Sequence, residues 1–266
     1  MRTAPAVAPA PAKLECPTEA IALAPGLTAE RRPLHAMPAA GGPACVDVVR
    51  VDLAKWRPRL LTAARDGASH TAPAWREAFH LAAVINAGMF HSDGKPVGLL
   101  VEDGVALGAD NPKFSGYLAF DPRSPTDPPV AITGRDCPQG NLATLRRKYR
   151  SLVQSSRLLG CDGAALPWAD PKQYSAAAIG VDREGHLVLV HARAAVTMTE
   201  LSAALAAPEL RLAGMLFLEG GPEASLVAKG ETTELSRVGS YETGFVENDG
   251  NTAFWWLPNV IAVEPR

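Results

Sequence analysis

The sequence predicts an α+β fold: a single domain with a mixed, mostly antiparallel sheet and a few packed helices. Three observations carry this expectation. Short apolar runs rich in Val, Ile and Leu recur along the chain, each bounded by Gly, Pro, Asn or Asp. Two stretches fold back through turn signals, Asp103-Gly104 and Arg183-Glu184-Gly185, as hairpins do. Helical patterns are few and do not alternate regularly with strands, which argues against a βαβ repeat.

In chain order, residues 1–44 are rich in Pro, Ala and Gly and read as a mostly irregular N-terminal extension, ahead of a domain spanning 45–266. "CVDVVRVDL" (45–53) reads as a strand. "TAPAWREAF" (71–79) is a short helix with Thr71 as N-cap, Pro73 in the first turn, and Trp75 and Phe79 on one face. "LAAVIN" (81–86) is a buried strand, and "VGLLVEDGVAL" (97–107) a hairpin. "GYLAF" and "PVAIT" are further strands. Residues 141–159 place Leu142, Leu145, Tyr149, Leu152 and Val153 at helical spacing, with Arg146, Arg147, Lys148 and Arg150 opposite, so an amphipathic helix is expected. Gln154 and Arg157 would then share one face. Residues 176–192 form the second hairpin. Residues 197–208 form a helix opened by Thr197 and stopped by Pro208. "AGMLFLEGG" is a buried strand ending in a Gly-Gly-Pro turn.

Composition narrows the function. The chain has 266 residues, enough for a sizeable core, and a net charge of −2 with no long run of one sign. That balance argues against a nucleic-acid partner. No stretch approaches the length of a membrane span. The start, "MRTAPAVAPAPAKLE", lacks the apolar core of an export signal and reads as a leader.

Cys16, Cys45, Cys137 and Cys161 form no CxxC or CxH pair, so no zinc site is expected. An even count at wide spacing fits two disulfides. Three connectivities are open, and the sequential one, Cys16–Cys45 with Cys137–Cys161, is preferred. Each bridge would contribute ~3–4 kcal/mol in the chain-entropy picture and implies an oxidising, extracytoplasmic compartment, periplasmic or secreted. The alternative is four buried free thiols.

Two buried strands end in polar, glycine-containing turns. The first continues as "INAGMFHSDGKP", bringing Asn86, Gly88, His91, Asp93 and Lys95 close together. The second is "LFLEGGPEASL", with Glu219, Gly220, Gly221 and Glu223. Glycine lets a ligand approach the backbone, and successive N–H groups in such turns attract anions. Glu219 follows Leu216-Phe217-Leu218, so its pKa should be raised by burial, as suits a general acid. Glu223 supplies a second carboxylate, and paired carboxylates serve glycoside cleavage. The plainer reading is two ordinary loops, with Asn86 bonding local backbone.

Taken together, "INAGMFHSDGKPVGLLVEDG" and "LFLEGGPEASL" resemble the two signature segments of the phosphodiester glycosidase family. The resemblance extends through "QSSRLLGCDG", "AAAIGVDREGHLVLVHA" and the tail "VGSYETGFVENDGNTAFWWLPNVIAVEP", and covers residues 45–265. It implies a hydrolase that cleaves between a sugar's anomeric carbon and a phosphodiester oxygen, with a carbohydrate or sugar-phosphate as partner. Because the leaving phosphomonoester is a stable anion, the demands shift toward holding phosphate and stabilising an oxocarbenium-like carbon. Arg157, the Asn86 amide and the Gly220 and Gly221 N–H groups are the expected phosphate donors. Glu219 would face the sugar carbon or activate water, with Asn86 and Glu223 as its catalytic companions. Gly88, His91, Asp93, Gln154 and Glu242 would line the substrate.

Two departures from the family pattern stand out. Glu219 and Glu223 occupy a motif that many members write Asp-Gly-Gly-Gly-Ser. No Arg precedes the "AIG" strand, where this chain has Tyr174-Ser175-Ala176. Both favour an alternative, a catalytically silent glycan-binding protein on the same fold. A third reading is an ordinary glycosidase using Glu219 and Glu223. No cofactor is implied. Glu242, Glu247, Asn248 and Asp249 are oxygen donors suited to a divalent cation, but they lack the spacing of a calcium loop. Trp255 and Trp256 would stack on a sugar ring, except that neighbours on a strand face opposite ways, which would put at least one in the core.

Overall fold

A computed structural model of the chain describes Cys16, residues 19–34, 36, 38, 39 and 44–266. The leader 1–15 lies outside the described residues. The α+β class holds, with the strands divided among three sheets whose pairings are all antiparallel.

The first sheet runs in the order β1 (Ile21–Ala24), β2 (Leu27–Pro33), β3 (Cys45–Val51), β12 (Leu187–Thr197), β11 (Gln173–Asp182), β13 (Leu212–Gly220). The second is β7 (Val105–Ala106), β6 (Leu100–Glu102), β10 (Tyr149–Ser155), β8 (Gly116–Pro122), β9 (Val130–Gly134). The third is β15 (Glu234–Val238), β14 (Ser225–Lys229), β5 (Ala83–Asn86), β16 (Asn259–Pro265), β4 (Trp56–Thr62). Four α-helices accompany them: α1 (Ala63–Asp66), α2 (Ala72–Ala78), α3 (Leu142–Lys148) and α4 (Met198–Leu205).

Each sheet turns one face to a shared core. Val49, Val51, Ile179 and Leu189 come from the first sheet, Leu118 and Phe120 from the second, and Ile85, Leu226 and Ile261 from the third. On the outer faces, α4 covers the first sheet through Leu201 and Leu205. Trp75 of α2 covers the third sheet, and Leu145 of α3 covers the second. This explains why β3 carries valines on both of its faces rather than on alternate positions alone. Val46 and Val48 pack outward beneath α4 while Val49 and Val51 pack inward, so the strand is buried on both sides.

Local signals behave as their chemistry dictates. Thr71 accepts the Ala74 N–H at the start of α2, and Thr197 forms a full capping box with Glu200. The Asp103-Gly104 turn has positive φ at both residues, the signature of a tight hairpin.

Two expectations fail. Residues 21–33, read as part of an irregular extension, form β1 and β2, and β2 pairs with β3 along its length. Leu23, Leu27 and Ala29 join the core, so a few well-placed apolar residues outweigh the Pro-rich surroundings. The long helix over 141–159 is also corrected: α3 stops at Lys148, and Tyr149 opens β10, the central strand of the second sheet. Pairing with β6 and β8 on its two sides overrides the helical spacing of Tyr149, Leu152 and Val153.

The sequentially nearest cysteines are bridged, Cys16 to Cys45 and Cys137 to Cys161, with Cα atoms 6.0 and 5.8 Å apart. No described helix is long and apolar enough to cross a membrane.

Candidate active site

The site forms where β13 leaves the first sheet. Glu219 is the penultimate residue of that strand, and the chain then makes a 3₁₀ turn at Gly221–Glu223 before entering β14 of the third sheet. Gly221 has φ +66°, a conformation that disfavours side chains. The space is also taken: a Cβ there would lie 2.5 Å from Glu242 Oε2 and 3.4 Å from Glu223 Oε2. The glycine therefore lets two carboxylates approach the same backbone.

Glu242 reaches this point through β11. The buried Ser175 Oγ accepts the N–H groups of Ser240 and Tyr241 at 2.9 and 3.2 Å, and Ser175 N–H donates to the Tyr241 carbonyl at 2.9 Å. Glu242 then bridges to Tyr174. Glu223 is held from the other side by Asn86 at the end of β5. Asn86 Nδ2 donates to the Glu223 carbonyl at 2.9 Å, and Asn86 Oδ1 accepts the Ser225 N–H at 2.8 Å.

Glu219, Glu223 and Glu242 thus form one partly desolvated acidic cluster at the edge of a cleft lined by Glu223. Burial pushes the Glu219 pKa well above the ordinary value, and the charges of Glu223 and Glu242 push it further, while the Gly220 N–H on its Oε1 at 3.1 Å opposes them. Burial raises Glu223 too, helped by Glu242. Burial raises Glu242, and Lys172 partly offsets this. Carboxyls crowded in this way resist ionising together. A proton is therefore available for a leaving group beside a carboxylate that can act as base or nucleophile.

Behind Glu219 lies a polar row that the sequence did not disclose. Asp47, His191, Ala177 and Glu219 are successive cross-strand partners on β3, β12, β11 and β13. Their side chains therefore leave the same, core-facing side of the sheet. His191 is fully buried, and burial drives its pKa down to about 4, so the ring is neutral at pH 7. Its Nε2 donates to the Ala224 carbonyl at 3.2 Å, a second tie on the turn that carries Glu223. Burial alone would raise the Asp47 pKa, but Arg237 at 2.7 Å and Arg31 at 3.2 Å hold it below the usual carboxylate value. His191 sits within an apolar hairpin, so only strand register could have placed it near the site.

Other expected residues are engaged within the protein or exposed. Arg157 and Gln154 do not share a helix face, because no helix exists there. Arg157 is buried, with Nη2 on Asp136 at 2.5 Å and Nη1 3.1 and 3.3 Å from the sulfurs of Cys137 and Cys161. Gln154 is spent on structure. Its Oε1 accepts the N–H groups of Leu99 and Asn111, both at 2.9 Å, and its Nε2 donates to Asp110 and to the Asn111 carbonyl, both at 2.8 Å. His91 and Asp93 lie on an exposed loop, where Asp93 pairs with Lys95 at 2.8 Å. Gly88 is buried at φ +99°, facing the Gln154 carbonyl, and serves the turn after β5.

The oxygen donors of the tail are also committed elsewhere. Glu247 accepts the Gly244 N–H, Asn248 Oδ1 accepts the Gly250 N–H, and Asp249 pairs with Arg193 at 2.7 Å. Among the described residues, the one group of three metal-type donors close together is Asp136 with Cys137 and Cys161, whose sulfurs are joined to each other rather than free as thiolates. Trp255 and Trp256 lie on a loop rather than a strand, so the alternation argument does not apply. Neither is in the core: Trp255 is half-buried and Trp256 is 66% exposed.

A family model described as phosphodiester glycosidase matches residues 79–264. Among solved structures, the catalytic domain of zebrafish N-acetylglucosamine-1-phosphodiester alpha-N-acetylglucosaminidase, auto-inhibited by its pro-peptide, is similar at TM-score 0.66 and 13% identity, over 94% of this chain and 87% of that one. A hypothetical protein from Synechocystis is similar at TM-score 0.64 and 14% identity, over 95% of this chain and 64% of that one. A Burkholderia pseudomallei protein described as exported is similar at TM-score 0.54 and 13% identity, over 85% and 75%. At these identities the likeness is one of fold. No curated protein matches the chain.

Proposed function

This chain belongs to the phosphodiester glycosidase family, and from that premise we propose that it is an extracytoplasmic hydrolase acting at the Glu219 cleft on a sugar-1-phosphodiester or a related glycosidic bond, as found in bacterial surface glycans. The observation that carries the reading is the meeting of Glu219, Glu223 and Glu242 around Gly221, with every carboxyl raised by burial. Glu219, the most strongly raised by burial, is the carboxyl that best keeps a proton and delivers it to the departing oxygen. Glu223 ionises more readily, and acts on the anomeric carbon or on the attacking water. The two disulfides support the oxidising compartment.

A second reading, an ordinary two-carboxylate glycosidase, draws on a separate observation. Arg157, the Asn86 amide and the Gly220 N–H, the donors expected to hold phosphate, already have partners within the protein. One assay separates the two readings: sugar release from a panel of sugar-1-phosphodiesters and from simple aryl glycosides, with wild type beside Glu219→Gln. Release from phosphodiesters that falls by about 10²–10⁴-fold in the variant supports the first reading. Release from aryl glycosides alone supports the second. Full activity of Glu219→Gln would remove Glu219 from the chemistry.

A further inference from the structure

Beside the carboxylates lies a cavity of about 380 Å³ lined by Phe90, Glu223, Phe254, Trp255 and Trp256. Four of its five lining residues are aromatic, and the fifth is a glutamate of the candidate site. Such a volume is near the small end of the ~300–1,000 Å³ typical of ligand pockets. Trp256 is 66% exposed, and Phe245, at 60%, meets Trp255 edge to face with ring centroids 6.0 Å apart. Large rings rarely stand this far into solvent together without a partner.

Resting on the reading of the Glu219 cleft as the hydrolytic site, we infer that this aromatic cavity is a pyranose subsite, which stacks the apolar face of a substrate sugar ring while Glu223 receives its hydroxyls. The chemistry of the wall selects this ligand. A pyranose carries electropositive C–H groups on one face, which suit the electron-rich face of an indole, and hydroxyls around its rim, which suit a carboxylate. The main competitor is a quaternary ammonium, which aromatic rings and a carboxylate also attract. Enclosure by several rings favours a cation, whereas an exposed indole such as Trp256 leaves an open platform for a flat, extended ring. Continuity with the carboxylates favours the sugar as well, because Glu223 belongs to both walls and a ring held here lies next to the reacting groups.

The test is binding, read apart from catalysis. Tryptophan emission is followed while wild type, Trp256→Ala and Glu219→Gln are titrated with methyl pyranosides of several configurations and, separately, with tetramethylammonium chloride. Trp256 is solvent-exposed, so its alanine variant should keep the fold, which circular dichroism checks. At least one pyranoside should saturate on wild type, with affinity reduced about fivefold or more in Trp256→Ala and retained in Glu219→Gln. Equal pyranoside affinity in wild type and Trp256→Ala overturns the inference. So does saturation by tetramethylammonium alone, or by no probe at all. Pyranoside binding that depends on Trp256, in a protein that hydrolyses nothing, would leave the subsite standing and remove the hydrolytic reading.

Discussion

Asn86 grips the backbone of the turn that carries Glu223: its amide nitrogen donates to the Glu223 carbonyl at 2.9 Å, and its amide oxygen takes the Ser225 N–H at 2.8 Å. Both side-chain functions are thereby engaged on the turn, and the residue is buried. Asn86→Ala should therefore cost about 2–4 kcal/mol of stability, since two buried hydrogen bonds are broken and their partners stranded. Activity should fall with it, because Glu223 loses its anchor. Urea unfolding beside a kcat measurement checks this. A large loss of kcat with unchanged stability would instead place the Asn86 amide on the substrate.

Glu219 makes stability depend on pH in a definite direction. Its folded pKa lies well above the ordinary 4.5, so the folded state binds its proton more tightly than the unfolded chain does. Whatever stability that proton contributes is complete below the unfolded value and declines as pH rises from there through the folded value. Glu219→Gln stays neutral and escapes the decline. Thermal unfolding across that range should show the variant gaining on wild type as pH rises. Parallel curves would refute the buried, raised carboxyl.

Gly221→Ala tests the close approach of the carboxylates. The new methyl would sit at positive φ and collide with Glu242 Oε2. A loss of about 1–3 kcal/mol is expected from the backbone strain. Hydrolysis should fall further than stability alone explains, because Glu242 must move. Comparing kcat at a temperature where the variant is fully folded separates the two effects.

Gln154→Leu should behave differently. It strands the Leu99 and Asn111 N–H groups, for about 2–4 kcal/mol of destabilisation. KM for the surviving folded protein should not change, since the side chain serves the Asp110-Asn111 loop. A raised KM would return Gln154 to the substrate.

Removing one bridge should show on unfolding. The Cys137→Ser/Cys161→Ser double variant should lose about 3 kcal/mol, from a closed loop with a sequence separation of 24. Chemical denaturation with and without a reducing agent measures it. Indifference to reduction would argue against an oxidised protein.

Much of the fold was legible because local rules and tertiary structure agreed. Thr71 and Thr197 cap their helices, Asp103-Gly104 turns its hairpin, and the Val-rich run of β3 is buried on both faces. Legibility failed where pairing decided the outcome. Tyr149, Leu152 and Val153 fit a helix as well as a strand, and only β6 and β8 resolve the choice in favour of β10. Of the proposed site, Glu219, Glu223, Glu242 and the two glycines were expected from turn chemistry and resemblance, and the fold brings the three carboxylates near Gly221. The roles of Asn86 and Gln154 as internal ties, and the placing of His191 behind the turn, depend on cross-strand register, which one sequence does not expose. The surroundings of Arg157 were hidden for the same reason: the residue type suits phosphate, and the fold encloses it against Asp136 and a disulfide.

Glu219 belongs to one sheet and Asn86 to another, and the short turn between β13 and β14 is the seam that joins them. The bond from Asn86 to Glu223 spans a sequence separation of 137. Contacts of such high order form only after intervening chain has been gathered, so the cleft should be among the last features to assemble. Inactivation would then report on the docking of two sheets, not on the integrity of either, and an incompletely folded chain would be chemically silent.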